Sequence, residues 1–134
     1  MQLLFYPSGV DKDSKRLRAA VHKVIPGGRI EHFKALSDLR ARLRTPVEPN
    51  SVAVLEASSR EELLKIQVLR ELLTELYVVL VIPDRKKSTI ELAHRLLPRF
   101  LSRKDSDFAD LKTVLNRMYL NSQESDDRKS LQEA

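Results

Sequence analysis

The chain has 134 residues, no cysteine, 42% hydrophobic and 32% charged residues, and a formal net charge of +5 from 24 basic and 19 acidic side chains. This composition supports a single domain with an ordinary core; it excludes a disulfide frame, a thiolate metal site and any run of membrane-spanning length. The opposite charges are intermixed rather than blocked, so the basic excess gives no more than weak attraction to nucleic acid or to an acidic protein partner. Met1 to Pro7 is an apolar patch too short for a signal peptide and lacks a basic leader, and a cysteine-free chain without such a leader fits the cytoplasm.

In chain order, Gln2 to Tyr6 reads as a short buried strand broken by Pro7-Ser8-Gly9. Asp11, Asp13 or Ser14 can cap a helix with the apolar stripe Leu17, Ala20, Val21 and Val24, which Pro26-Gly27-Gly28 ends. Arg29 to Lys34 reads as an edge strand, and Ser37 as the cap of a short helix that turns Leu36, Leu39 and Leu43 inward. Ser51 to Ser59 is the organising stretch. Val52 to Leu55 is continuously apolar, as expected for a strand covered on both faces, and it ends at Glu56. Ser59 and Glu62 have capping-box spacing ahead of a helix expected over Arg60 to Glu75, with Leu63, Leu64, Ile66, Leu69, Leu72 and Leu73 on its packing face. Tyr77 to Ile82 is a second buried strand. Ser88 and Glu91 repeat the capping-box spacing before Ile90, Ala93, Leu96 and Leu97, and Pro98 closes that helix. A short strand near Phe100 and Leu101 precedes a last helix near Asp107, carrying Phe108, Leu111, Leu115 and Met118. From Ser122 the chain is polar, with Leu131 as its one large apolar residue, so residues 122–134 are expected to be a tail or an exposed extension of that helix on a domain spanning 1–121.

Strands alternating with helices over short links imply right-handed crossovers and an α/β fold. The expectation is a five-stranded parallel sheet, order 2-1-3-4-5, with helices on both faces. This plan, together with Arg99-Phe100-Leu101-Ser102-Arg103-Lys104, resembles the receiver domains of bacterial response regulators, a flavodoxin-like architecture whose fifth strand has an aromatic, aliphatic, any residue, lysine, proline pattern. The resemblance implies that function sits at the carboxyl edge of the sheet, and there the family's phosphorylation residues are replaced. Tyr6-Pro7 stands where receivers carry the acidic pair that holds Mg²⁺. Glu56 stands in place of the phosphoacceptor aspartate, one methylene longer, and Ile82 or Pro83 in place of a hydroxyl residue. Arg103, or Lys104 in a shifted register, stands in place of the lysine. Phe100 matches the aromatic of the receiver switch.

Glu56 therefore has three readings: a structural or partner-contacting carboxylate paired with Arg103 or Lys104, a built-in mimic of the phosphorylated state, or a live phosphoacceptor. Asp11, Asp13 and Asp84 would have to gather round Glu56 to hold a metal, but aspartates at such positions are usually caps and turns, so neither metal nor cofactor is expected. His22, His32 and His94 lie on separate elements with no ligand spacing, and Gly27-Gly28 reads as a helix stop rather than a phosphate loop. Lys15, Arg16, Arg18, Arg40, Arg42 and Arg44 read as a solvated face; without interleaved aromatics they do not make a nucleic-acid surface. The sequence thus points to a non-enzymatic, receiver-like protein-interaction module that takes no phosphoryl group, in bacterial signalling or transcription regulation. Its partners would be a regulatory protein and a second copy, the latter through Arg95, Arg99, Leu101 and Arg103 set against Asp107 and Asp110. Two other functions compete with it: a phosphorylatable regulator using Glu56 or a nearby acid, and a basic α/β domain that binds nucleic acid.

Overall fold

The computed structural model describes residues 1–133, with side chains described for residues 1–123. Five parallel strands form one sheet in the order β2-β1-β3-β4-β5, the expected flavodoxin-like arrangement. The elements run β1 (Leu3–Tyr6), α1 (Lys12–Val24), β2 (Ile30–His32), α2 (Leu36–Leu43), β3 (Val52–Glu56), α3 (Arg60–Gln67), β4 (Tyr77–Ile82), α4 (Lys87–His94), β5 (Phe100–Arg103) and α5 (Ala109–Glu133). β3 is central, and all five of its residues are buried.

Alternation along the strands sorts the core into two halves. Leu3, Phe5, Val52, Val54, Val79 and Val81 meet Leu17 and Val21 of α1 and Leu111 and Leu115 of α5. On the opposite face, Leu4, Tyr6, Ala53, Leu55, Leu80 and Ile82 pack with Leu39 of α2, Leu63 and Ile66 of α3, and Leu92 and Ala93 of α4. Burying a leucine side chain contributes about 1.5–3 kcal/mol, so these two layers supply most of the fold's favourable free energy.

The expected single helix from Arg60 to Glu75 is two pieces, because α3 ends at Gln67 and a 3-10 turn follows over Arg70–Leu73. Backbone bonds shift to three-residue spacing at this point, from Val68 to Lys65 and from Leu69 to Ile66. The tighter winding keeps Leu69 and Leu73 on the core while Leu64 and Val68 stay in solvent. Two expected caps are also replaced. α2 begins after Ala35 with no side-chain cap from Ser37. α4 begins at Lys87 because Asp84 accepts the Lys86 N–H at 2.9 Å and starts the turn early, which leaves Ser88 inside the first turn rather than at the cap. Leu97, expected on the packing face of that helix, is 77% exposed in a left-handed conformation, φ 52°. α5 continues through Glu133. Ser122, where the polar tail was expected to begin, is buried with its hydroxyl donating to the Tyr119 carbonyl. The expected exposure of residues 124–134 lies outside the described side chains.

Candidate functional site

β1, β3, β4 and β5 deliver Tyr6, Glu56, Ile82 and Arg103 to the carboxyl edge of the sheet, and Pro7 and Lys104 follow directly. Glu56 shares the parity of Val52 and Val54, so its side chain enters the face covered by α1 rather than pointing along the edge. It meets the first turn of α1 there and has no solvent exposure. The Ser14 hydroxyl donates to Oε2 at 2.7 Å, and the Gly9 backbone N–H donates to Oε1 at 2.9 Å. Both carboxyl oxygens are thus engaged, one by the link between β1 and α1 and one by the first turn of α1.

Close approach is what requires glycine at position 9. A Cβ there would lie 2.1 Å from Ser14 Oγ and 3.4 Å from Glu56 Oε1. Any larger residue would push the Ser14 hydroxyl off Glu56. Ser14 itself is fully buried, and its N–H donates at 3.0 Å to Asp11, the N-cap of α1.

The ion pair expected between Glu56 and Arg103 or Lys104 does not form. Lys104 instead pairs with Asp11, and Arg103 makes only a loose 3.8 Å contact with Asp105. Parity puts Arg103 on the opposite face of the sheet from Glu56, while Lys104, on the same face, is taken by Asp11 and both Glu56 oxygens are occupied by Ser14 and Gly9. The bond from Lys104, supported by the Ser14 N–H, holds the Asp11 carboxyl at about 2, and the same bond raises Lys104. Phe100 opens β5 opposite Val79 and packs into the α1/α5 half of the core, four residues before Lys104.

Three further ties close this edge. The Tyr6 hydroxyl donates to Glu62, so the Ser59–Glu62 capping box forms only in half, with Ser59 Oγ accepting the Glu62 N–H at 3.1 Å. Burial pushes the Tyr6 phenol well above its usual range, with the Glu62 bond and the charges of Glu62 and Glu56 adding to the effect. The Ser8 hydroxyl accepts the Ser58 N–H at 3.1 Å and joins the loops after β1 and β3. Arg16 bonds Asp13 at 3.2 Å, donates to the Ser106 carbonyl, and lies over the Phe108 ring at 5.6 Å.

Asp11, Asp13 and Asp84 do not gather round Glu56; they engage Lys104, Arg16 and the Lys86 backbone. Among the described residues no group of three or more His, Asp or Glu side chains converges on a metal-sized site. The histidines are less separate than their positions suggest. Parallel register puts His32 opposite Phe5 on the α1 face, where its Nε2 lies 2.9 Å from His22 Nε2 in nearly parallel rings, 11° apart. Burial, with the positive charges of His22 and Arg18, pulls the His32 imidazole below its ordinary value.

Ser14 and Gly9 are the site residues that sequence reasoning misses, having read one as a helix cap and the other as part of a strand break. A signal for Ser14 does exist. It precedes Leu17 and Val21 at helical spacing, which places a hydroxyl on the buried stripe.

Ser14→Ala should cost about 1–3 kcal/mol by leaving a buried carboxyl oxygen without its donor. Gly9→Ala should also destabilise, and the double variant should cost less than the sum of the two, because removing Ser14 Oγ removes the clash; urea melts of the four proteins measure the coupling. For His32, the unfolded chain takes up a proton near about 6.5 and the folded protein only at lower pH, so stability should rise with pH between the folded and unfolded values. Urea midpoints between about pH 5 and 7 should show this slope, flattened in His32→Gln.

The chain matches no known family model and no curated protein sequence.

Proposed function

We propose that this domain is a receiver-like protein-interaction module, working in bacterial signalling or transcription regulation, whose carboxyl edge accepts no phosphoryl group. The observation that carries the reading is the position of Glu56: fully buried, one oxygen on Ser14 and the other on Gly9. In-line attack on a phosphoryl donor needs a carboxylate oxygen free to approach phosphorus and a cation placed to neutralise the incoming charge. Here both oxygens are engaged, and Lys104, which follows β5, is held by Asp11. Loops after β1 and β3 and the start of α1 are tied together across the edge. This suits a surface kept in one conformation rather than switched.

Incubation with acetyl phosphate, or with a beryllofluoride mimic and Mg²⁺, should give no adduct by intact mass and no Mg²⁺-dependent spectral change. A stoichiometric adduct on Glu56 would overturn the reading.

Self-association through α4, β5 and α5 belongs to the same proposal. Arg95 and Arg99 are exposed at the end of α4 and the start of β5, and Asp110 is exposed in the first turn of α5. Several expected contacts are already engaged within the chain, with Arg99 over the Tyr77 ring at 5.2 Å and Asp107 accepting the Ala109 N–H at 3.0 Å. Leu101 is half-buried against the α2/α3/α4 half of the core. Leu97, exposed in a left-handed backbone that favours glycine, supplies the apolar contact instead. Leu97→Gly should lower the light-scattering mass toward a monomer and raise the melting temperature. A wild-type protein that stays monomeric at high concentration and low salt counts against self-association.

A further inference from the structure

Away from the carboxyl edge, α2 and the end of α3 enclose a groove of about 490 Å³ lined by Leu36, Arg40, Ala41, Arg44, Lys65 and Val68, with Ser37 and Leu69 completing the wall. It arises from the interrupted helix described above. α2 leans on β1 and on the 3-10 turn Arg70–Leu73, so the flanks of α2 and α3 stay apart. The floor is aliphatic. Val68 is 73% exposed, and Leu64, one turn earlier on the same flank of α3, is 50% exposed. The rim is cationic, without a single acid in the lining. Arg40, Arg44 and Lys65 take part in no ion pair among the described residues, whereas the intervening Arg42 is turned away to Glu31 at 2.9 Å and to Thr45. The three cations therefore face the groove with their charge unspent.

We infer that this groove docks an acidic amphipathic helix of a partner protein, whose apolar residues cover Leu36, Ala41 and Val68 while its carboxylates reach Arg40, Arg44 and Lys65. Helix-in-groove recognition needs an exposed apolar floor, and the charge of the rim selects the sign of the partner. Guanidinium groups bind carboxylates in pairs of parallel hydrogen bonds, so Arg40 and Arg44, one helical turn apart, match glutamates at the same spacing. Nucleic acid is the poorer occupant, because an aliphatic floor offers no ring on which bases can stack. The inference rests on the reading of the domain as an interaction module, but it concerns a different face from Glu56.

The test is an amide NMR titration of the full chain with a synthetic helical peptide of about 15 residues, bearing leucines at i, i+3, i+4 and i+7 and glutamates on its other face. Saturable shifts confined to residues 36–44 and 65–69, weakened at least about tenfold by Arg40→Glu/Arg44→Glu and by raised salt, are expected. Val68→Ser, which leaves the charges intact, should weaken binding as well. All three side chains are exposed, and thermal melts check that the variants fold. The inference is overturned by shifts mapping elsewhere, by equal binding of a peptide with lysine in place of glutamate, by unchanged affinity in the charge-reversed variant, by no saturable change, or by a short DNA duplex that moves the same amides more strongly. A phospho-adduct on Glu56 would instead sink the functional reading and leave the groove result standing.

Discussion

A carboxyl group with no solvent exposure at the end of the central strand imposes the constraint on which the rest of the carboxyl edge depends. Burying such a group without hydrogen-bond donors costs several kcal/mol, so the fold must bring donors to it. Gly9, in the β1–α1 connection, and Ser14, in the first turn of α1, fill that need. Each then constrains its surroundings. Ser14 must sit inside the first turn of α1, which makes Asp11 the cap, and Gly9 must remain without a side chain because its backbone passes beside the pair. Asp11, placed by this requirement, becomes the partner of Lys104. One buried acid on β3 thereby ties the β1–α1 loop to the end of β5.

The remaining ties at the edge act in the same sense. Tyr6 reaches Glu62 on α3, Ser8 bonds the Ser58 backbone, and Arg16 spans from α1 to the Ser106 carbonyl. A binding edge in an open parallel sheet usually has a crevice outside the carboxyl ends of the strands. Here the loops at that edge are cross-linked by polar contacts between elements remote in sequence. A closed edge fits a surface whose shape is set on folding, and it shifts attention to the outer faces of the helices as places for partners.

Charge is distributed on those faces by local pairing rather than by composition. Of the arginines that read as one solvated face, Arg16, Arg18 and Arg42 are turned to Asp13, the Gly9 carbonyl and Glu31. Arg40 and Arg44 remain beside the exposed Val68. With Lys65 they line the place where α2 and α3 diverge, and no acid lies beside them in that lining.

Much of the fold was legible because its signals are local. Continuous apolar runs at Leu3–Tyr6, Val52–Leu55 and Val78–Ile82, too short for helices and rich in valine, read as doubly covered strands, and helical stripes between them leave a parallel sheet with right-handed crossovers as the consistent arrangement. The same alternation put an acid at the end of β3. What stayed hidden were contacts between polar residues far apart in the chain. Glu56 meeting Ser14 and Gly9 depends on which face of β3 meets α1, and His22 meeting His32 depends on the register of β1 with β2. The break after Gln67 was equally hidden, since the apolar spacing of Leu63, Ile66, Leu69 and Leu73 suits either a continuous helix or a helix followed by a tighter turn. By itself the sequence determined the order of the elements and the apolar strands at the centre, because those runs are written locally, although it placed Leu64 and Leu97 inside where the structure exposes them. Only the tertiary structure decided which buried and rim groups satisfy one another, because a hydrogen bond requires two particular atoms to meet and the packing of sheet against helices sets where they lie.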